Sequence, residues 1–464
     1  ADFRFWWRHF NDPVLNRLIE LAKEQNPSLR IAGLRILESR AQLGIAGSTL
    51  YPQVQQGSGA ATYVNTRNHG GVVADDSQSF VSYQAGFNIG WELDFWGRFK
   101  RGIESADAAF FASIADQQDV QVLLNAQVAD LYFGYRTTQL RIAIAKENAA
   151  IQKRSFEITS RIYQSGGDSE LDVQQAKTQY LATLSTIPGL EVTLNKTRNA
   201  LATLLGRAPG DLPELASGVQ DLPSTSSTGI PVIPASLLMR RPDIRSAAAK
   251  IAAQSAQIGI AEADFYPAIS LLGSIGWSGS TLDGSPDTST LGIGPALKWN
   301  LFDHGRIENN VRLQDARLQQ LIESYQNTVL QAAREIDDAA VSAVKTAEQQ
   351  LLLNQSVDAA ERALSIADTR YREGYADFQR VLDAQRSKFA QAERALINHG
   401  SHISAVIGLY KALGGGWMAT PVEGLIPEDT RNRMQQRTDW GDLLSAPLPM
   451  NPVNPSASSG AATK

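Results

Sequence analysis

The amino-acid sequence predicts a mixed α and β fold made of two tandem repeats, each a strand pair followed by a long helical hairpin. Segments from the first half of the 464-residue chain recur in the second half. Within each repeat, two stretches alternate apolar and polar residues, which is the period of a strand with two different faces. Each strand pair is followed by some sixty residues with helical periodicity and no proline, which indicates an unusually long helix.

The repeat is visible as short sequence words that recur at fixed separations. AQLGIA at 41 returns as AQIGIA at 256, and the Tyr-Pro pair at 51 returns at 266, both 215 positions later. From WELDFWGR at 91 onward the separation is 208, as its counterpart WNLFDHGR at 299 shows. Because loops accept insertions that packed helices resist, we place the seven extra residues of the first repeat in a loop before its Trp.

These separations divide the chain into five parts. They are an N-terminal segment (1–26), the first repeat (27–206), a linker (207–241), the second repeat (242–414) and a C-terminal segment (415–464). The predicted strands are about 50–66, 80–94, 266–279 and 290–302, and the predicted long helices are about 98–163, 168–205, 306–372 and 376–413. The end of the C-terminal segment, from about 443, is rich in Pro, Ser and Ala, so we expect it to be disordered or loosely wrapped.

The apolar rows of the strands are interpreted as facing lipid. A soluble sheet with one face on a protein core would give the same alternation. The strands are longer than usual, aromatic residues lie near their ends, and the opposite row is mostly small, which together favour a membrane. The residues assigned to lipid are Tyr83, Phe87, Ile89, Ile293 and Leu297. Because four strands cannot close a barrel and lipid does not tolerate an open sheet edge, several chains must share one barrel.

A junction joins each strand pair to its long helix. The junction residues that recur in register are Trp91, Gly97 and Arg98 in the first repeat and Trp299, Gly305 and Arg306 in the second. The middle residues, DFW against FDH, do not recur, and we assign them no common role. Each long helix ends in a glycine turn, at Gly166 and Gly374, from which a second helix returns. Pro188 is expected to interrupt the first returning helix and to bend it there.

Composition and spacing exclude several classes of function. The net charge of -5 gives no electrostatic reason for a nucleic-acid partner, and the absence of cysteine excludes a thiolate metal site. His399 and His402 have helical spacing, but no carboxylate motif completes a metal site around them. The glycine-rich words GGDSE and LGGGW lack phosphate-binding spacing, and no serine nucleophile elbow occurs. We therefore predict no enzyme activity, no metal and no cofactor.

The stretch SLLMRRPDIRSAAAKIAAQSAQIGIAEADFYPAISL (236–271), with the tandem copies and WELDFWGR, resembles the TolC-like outer-membrane efflux channel family, in its lipoprotein branch. The resemblance implies a homotrimer whose three chains form a 12-stranded transmembrane β-barrel continuous with a periplasmic α-helical barrel. It also implies a periplasmic adaptor protein and an inner-membrane pump as partners. Members of the branch usually begin with a lipidated Cys, so an anchor is expected just before Ala1 unless it is absent.

The resemblance also implies a gate where the helical turns converge at the periplasmic tip. Asp383 matches the family's ring aspartate, while Arg380 stands where some relatives carry a second carboxylate. Either Arg380 forms a cationic ring, or it pairs with Asp383 or with Asp172 of a neighbouring turn. Further candidates for the constriction and its latch are Gln379, Phe378 and Tyr371. The alternative is that all of them are ordinary solvated turn residues.

The function that follows is the outer-membrane exit duct of a tripartite efflux system. The duct would be a passive trimeric channel that exports drugs or other small toxic compounds, with the turns at Gly166 and Gly374 docking the adaptor. A soluble coiled-coil scaffold is one alternative, although it would not explain the two alternating strand pairs. A pore-forming toxin is another, although a toxin would normally carry one insertable hairpin rather than two.

Overall fold

The structure is a computed structural model, and it describes residues 3–67, 77–167, 169–216, 221–224, 240–281 and 287–449. The predicted disordered or loosely wrapped tail begins at about 443, and its part from 450 onward lies outside the described residues, as does most of the predicted linker. Among the helices of the described residues, we find none with an apolar stretch of membrane-spanning length.

Eight helices and four strands organise the described residues, with a short 3₁₀ segment (Phe3–Phe10) before them. The helices are α1 (Pro13–Gln25), α2 (Pro27–Ser48), α3 (Arg98–Gln164), α4 (Glu170–Leu204), α5 (Pro242–Ala263), α6 (Arg306–Arg372), α7 (Phe378–Ala412) and α8 (Glu428–Arg437). The strands are β1 (Val54–Arg67), β2 (Ser77–Glu92), β3 (Ala268–Gly279) and β4 (Thr288–Lys298).

The two repeats have matching elements. Helices α2 and α5 each have 22 residues, α3 and α6 each have 67, and α4 and α7 each have 35. At 1.5 Å per residue, a 67-residue helix is about 100 Å long. The chain therefore contains two copies of one structural unit. The long helices begin and end within two residues of their predicted positions.

The described chain forms two compact units, and neither follows the repeats. Among the described residues, those within 3–34, 115–245 and 327–449 form one unit, and those within 35–114 and 246–326 form the other. Each unit therefore contains residues of both repeats.

The four strands form one antiparallel sheet in the order β1-β2-β3-β4. Every pair in its register joins residue numbers of the same parity, for example Tyr83 with Gly279 and Ala268 with Lys298. Since paired residues lie on the same side of a sheet, the odd-numbered residues of all four strands share one face and the even-numbered residues share the other. We call the odd-numbered side the apolar face and the even-numbered side the polar face.

The N-terminal aromatic residues belong to the core of the first unit. Trp6 is fully buried, Trp7 is nearly so, and Trp6 stacks on Tyr410 at 5.4 Å between ring centroids. Helix α1 begins next to this cluster because Asp12 accepts hydrogen bonds from the first free backbone N–H groups, those of Val14 and Leu15. The N-terminal segment is thus an integral part of the core rather than a tail.

Candidate functional sites

The junction tryptophans make the same contact in both repeats. Trp91 Nε1 donates to the carbonyl oxygen of Leu50 at 3.1 Å, and Trp299 Nε1 donates to that of Phe265 at 3.0 Å. Each acceptor is the residue immediately before the Tyr-Pro pair of its repeat. The Trp therefore ties the end of one strand to the entry of its neighbour.

The junction glycines provide the turn into the helix. Gly97 has φ of +76° and Gly305 has φ of +81°, a region that residues with a Cβ rarely adopt. Arg98 and Arg306 then begin α3 and α6. Arg98 also lies 3.7 Å from Glu92 and 3.7 Å from Asp264, so it joins the end of β2 to the segment after α5.

The middle residues of the two junctions do share a role, contrary to the sequence-based expectation. Asp94 accepts hydrogen bonds from the backbone N–H groups of Phe99 and Lys100, at 3.0 and 2.8 Å. Asp303 accepts from Gly305 and Ile307, at 3.1 and 2.7 Å, and these bonds hold the pKa of Asp303 below its usual value. Both carboxylates cap a long helix, but they stand three and two residues before their glycine, so comparison in register missed them.

All the residues assigned to lipid lie on the apolar face of the sheet. Tyr83, Phe87 and Ile89 follow one another along β2, while Ile293 and Leu297 lie on β4 with 80% and 66% of their surface exposed. The row of large apolar residues continues on β3 and at Leu291 of β4, whereas on β1 only Tyr63 belongs to it and the other described odd-numbered residues are small or polar. The further large members of this row are Tyr63, Val81, Trp91, Ile269, Leu271, Ile275, Trp277 and Leu291. The contact with lipid itself stays a prediction.

The two hairpin turns have matching backbone caps. Gly166 and Gly374 both adopt positive φ, at +85° and +78°. In each turn the N–H of the next residue bonds back to a helix carbonyl, Gly167 to Ile162 and Tyr375 to Arg370. The adaptor-docking role assigned to these turns stays a prediction.

The candidate gate carboxylates have partners within their own hairpins. Asp383 accepts from Gln379 Nε2 at 3.1 Å and lies 3.6 Å from Arg386. Arg380 pairs with Asp377 at 3.7 Å, rather than with either carboxylate considered from the sequence. Asp172 accepts a hydrogen bond from the Ser169 hydroxyl at 2.7 Å.

The two aromatic gate candidates lie in a small core beside these carboxylates. Phe378 is buried with Ala176, Val381 and Leu382, and its ring lies 5.3 Å from that of Tyr371. The roles assigned to Phe378 and Tyr371 in the constriction and its latch stay predictions. Sequence comparison missed two further residues that join the hairpins.

The missed residues are Gln179 on α4 and Arg386 on α7. Gln179 Nε2 donates to the Leu382 carbonyl at 3.3 Å, and Arg386 Nη2 donates to Gln179 Oε1 at 3.1 Å. Arg386 therefore contacts both the candidate gate carboxylate Asp383 and the neighbouring hairpin. The contact between Arg386 and Asp383 could have been predicted from the sequence, because residues three positions apart on a helix are neighbours on its surface.

The Arg-Arg-Pro-Asp motif (240–243) has a structural role, since Arg241 and Asp243 join the start of α5 to its surroundings. The Arg241 guanidinium makes two bonds to Asp243, at 3.1 and 2.8 Å, and its Nη1 donates to Glu335 at 3.0 Å. The same nitrogen donates to the carbonyl oxygen of Ala412, at the C-terminal end of α7, at 2.9 Å. Arg241 thus fixes the start of α5 against both long helices of the second repeat.

We find no metal site among the described residues. No group of three or more His, Cys, Asp or Glu side chains there is arranged so that it could hold an ion. His399 contacts the carbonyl oxygen of Pro223 at 3.1 Å, and His402 Nδ1 lies 2.9 Å from the Thr346 hydroxyl. Burial lowers the pKa of His402, and the nearby His399 lowers it further.

A sheet with large apolar residues along one face of three of its four strands, joined by capped junctions to paired helices about 100 Å long, defines an outer-membrane channel protein of the TolC-like kind. The chain belongs to the Outer membrane efflux protein family, whose model matches residues 18–207 and 233–415. The two matched stretches fall on the two repeats. The resemblance found in the sequence is therefore confirmed, and so is an outer-membrane location with an extension into the periplasm.

Relatives and solved structures agree with this assignment. The chain is 32% identical over 419 residues to the pyoverdine export outer membrane protein OpmQ of Pseudomonas putida, covering 89% of this chain and 88% of that protein. It is 30% identical over 417 residues to the cation efflux system protein CusC of Escherichia coli, with coverage of 89% and 88%. The solved structure of the outer-membrane channel OprN matches with a TM-score of 0.82 and 33% identity, covering 89% of this chain and 93% of that one.

Family membership also decides between classes of function. The chain is the outer-membrane component of an efflux system, a transport family and not an enzyme family. This favours the channel interpretation over the soluble scaffold and the pore-forming toxin.

Proposed function

We propose that three copies of this chain form a passive, gated duct that exports small toxic compounds. Each copy would contribute four strands to a 12-stranded barrel and four long helices to a helical barrel below it. The duct would take its cargo from an inner-membrane pump through a periplasmic adaptor. The pump would supply the energy, since the sequence carries no motif with phosphate-binding spacing.

The sheet edges are the observation that supports a barrel shared between copies, and the number three is what the family resemblance implies. β1 and β4 are the two outermost strands, with 14 and 11 residues, and each pairs with one neighbour in the described chain. An unpaired edge carries free N–H and C=O groups, which cannot be left unsatisfied in hydrocarbon. Pairing β4 of one copy with β1 of the next satisfies both edges at once.

The gate is supported by the position of Asp383. It lies on the second turn of α7, close after the hairpin turn, and its side chain is more than half exposed in the single chain. Three such carboxylates around a threefold axis would attract cations and repel one another. Arg386 and Gln179 would hold each Asp383 in place by linking it to the neighbouring hairpin.

The cargo is proposed only as a class. The relatives named above export pyoverdine in one case and cations in the other, so the shared fold does not select one cargo. The polar face of the sheet is lined mostly with small uncharged residues, which suits a conduit that accepts varied compounds. Drugs or other small toxic compounds are the proposed cargo, and the two hairpin turns are the proposed adaptor-docking points.

The test is the assembly state and conductance of the purified full chain. We expect native mass spectrometry in detergent to give a trimer and planar bilayers to give discrete conductance steps. A monodisperse monomer in detergent-free buffer, with no conductance, would overturn the proposal.

A further inference from the structure

Two charged side chains lie at one end of the sheet, on a face that is otherwise lined with uncharged residues. Among the strand residues whose side chains are described, the polar face carries only two charged groups, Glu92 and Lys298. Each is the last residue of its strand, β2 and β4, and these strands end on the same side of the sheet.

The two charges come from different repeats and are not repeat-related. The position that corresponds to Glu92 in the second repeat is Asn300, and the position that corresponds to Lys298 in the first is Gly90. Each repeat therefore supplies one charge, of opposite sign, at neighbouring levels of the polar face.

The surroundings of Glu92 and Lys298 form one small cavity. Both residues line a space of about 160 Å³ together with Arg98, Asp264 and Asn300. Glu92 is held from two sides, because Arg98 lies 3.7 Å from its carboxylate and Gln53 exchanges two hydrogen bonds with its backbone, at 2.7 and 3.1 Å. Lys298 is more exposed, and no carboxylate within the described residues lies within ion-pair distance of it.

We infer that Glu92 and Lys298 form a charged ring at the helix-side end of the barrel and set the ion selectivity of the duct. The inference rests on the proposed function, in which three copies place the polar face toward the lumen. Three copies would then alternate six charges around a wall that is otherwise uncharged. Low-dielectric walls concentrate the field of such charges on the conduit, so each ring member acts directly on passing ions.

The two members have opposite effects on a permeating ion. Lys298 repels cations and attracts anions, while Glu92 does the reverse with part of its charge offset by Arg98. A unit charge about 5 to 7 Å from an ion in water changes the local concentration of that ion by roughly threefold to fourfold before salt screening. Three such charges act together, and they act on cations and anions in opposite directions, so removing one charge from each of three chains should change the permeability ratio by at least about fivefold at low salt.

The experiment measures the potassium-to-chloride permeability ratio of the full-length protein in planar bilayers under a KCl gradient. We expect Lys298→Gln to raise the ratio and Glu92→Gln to lower it. Lys298→Arg is the matched control, because it keeps the charge and should keep the ratio. If Glu92→Gln fails to assemble without its pair to Arg98, the Lys298→Gln and Lys298→Arg variants still decide the question.

The outcomes separate this inference from the proposed function. Normal conductance with the same permeability ratio in wild type and Lys298→Gln would overturn the ring alone. No conductance from the wild-type protein would overturn the duct and the ring together.

Discussion

At the tip of the second hairpin, the contacts of Asp383 make a specific prediction about one residue. Its carboxylate accepts from Gln379 and lies 3.6 Å from Arg386, which also contacts the neighbouring hairpin. Asp383→Ala should raise the resting conductance and weaken block by divalent cations, because it removes the ring charge and releases Arg386. Single-channel recording in planar bilayers measures both quantities.

Asp377 provides the control for the gate variant. It is an exposed carboxylate at the start of the same helix, and it pairs with Arg380 rather than with Arg386. Asp377→Ala should leave the resting conductance and the cation block near their wild-type values. Equal effects of the two variants would remove Asp383 from the gate.

A second residue predicts how stability depends on pH. Asp119 of α3 has a pKa raised to about 6, first by burial and then by the nearby carboxylates of Asp243, Asp116 and Glu335, with Arg241 opposing them. Because the pKa is raised on folding, Asp119 favours the folded state fully below about pH 4, and this contribution is lost as pH rises through about 6. Asp119→Asn should therefore raise the melting temperature by a few degrees at pH 8.

The measurement is thermal unfolding of wild type and variant at pH 4.5 and pH 8. The increase in melting temperature caused by Asp119→Asn should be smaller at pH 4.5, where Asp119 in the folded protein is already mostly protonated. Asp338→Asn, at an exposed carboxylate of α6, controls for the change in net charge. A gain of the same size at both pH values would show that repulsion at Asp119 is not the cause.

At the scale of the element, the junction glycine of the first repeat gives a matched pair of variants. At Gly97 a Cβ would meet no atom within 4 Å, but φ is +76°, so the cost of Gly97→Ala is purely that of the backbone. This substitution should destabilise the fold by about 1 to 2 kcal/mol. Five residues later, Gly102→Ala lies inside α3 with equally open space and should stabilise by up to about 1 kcal/mol.

Denaturant unfolding monitored by tryptophan fluorescence would compare the two glycine variants. The free energy of unfolding should fall in Gly97→Ala and rise in Gly102→Ala. Because both variants add the same methyl group to open space, the difference would come from the backbone conformation. A destabilisation by both would mean that crowding in the assembled protein, rather than the positive φ, is what excludes a side chain at Gly97.

The long elements could be predicted from the sequence because their signals are local. Absence of proline, heptad spacing and glycine turns gave the bounds of α3, α4, α6 and α7 to within two residues. Pro188 does not end the helix, since α4 continues across it as one helix, and the bend expected there stays a prediction. Burial of the neighbouring Ile187 and Leu190 in a core with α3 residues stabilises the helix there.

Other parts were missed because the sequence alone did not show which residues contact each other. The N-terminal aromatic residues look like an ordinary apolar segment until Trp6 meets Tyr410 across the core. The sequence analysis considered Asp383 and Asp172 as partners of Arg380, whereas Arg380 pairs with Asp377, three residues before it at the start of α7. The helix caps Asp94 and Asp303 were missed because they are offset by one position between the repeats.

At the scale of the whole molecule, the two faces of the sheet predict what the assembled barrel tolerates. Ile293 lies on the apolar face of the edge strand β4 with 80% of its surface exposed, and Thr290 lies on the polar face of the same strand. A lysine on a lipid-facing strand position costs about 2 to 4 kcal/mol near the bilayer centre. Ile293→Lys should therefore prevent stable insertion, while Thr290→Lys should insert normally and change only ion selectivity.

Two readouts distinguish these variants, the yield of trimer in the outer-membrane fraction and the conductance of the purified protein. Both substitutions place the same side chain on the same strand, so a general effect of lysine on β4 would reduce both yields equally. If the polar face met lipid instead, the pattern would reverse, and Thr290→Lys would be the variant that fails to insert. Because β4 is also an edge, loss of trimer in Ile293→Lys together with intact monomer would place this residue at the contact between copies rather than against lipid.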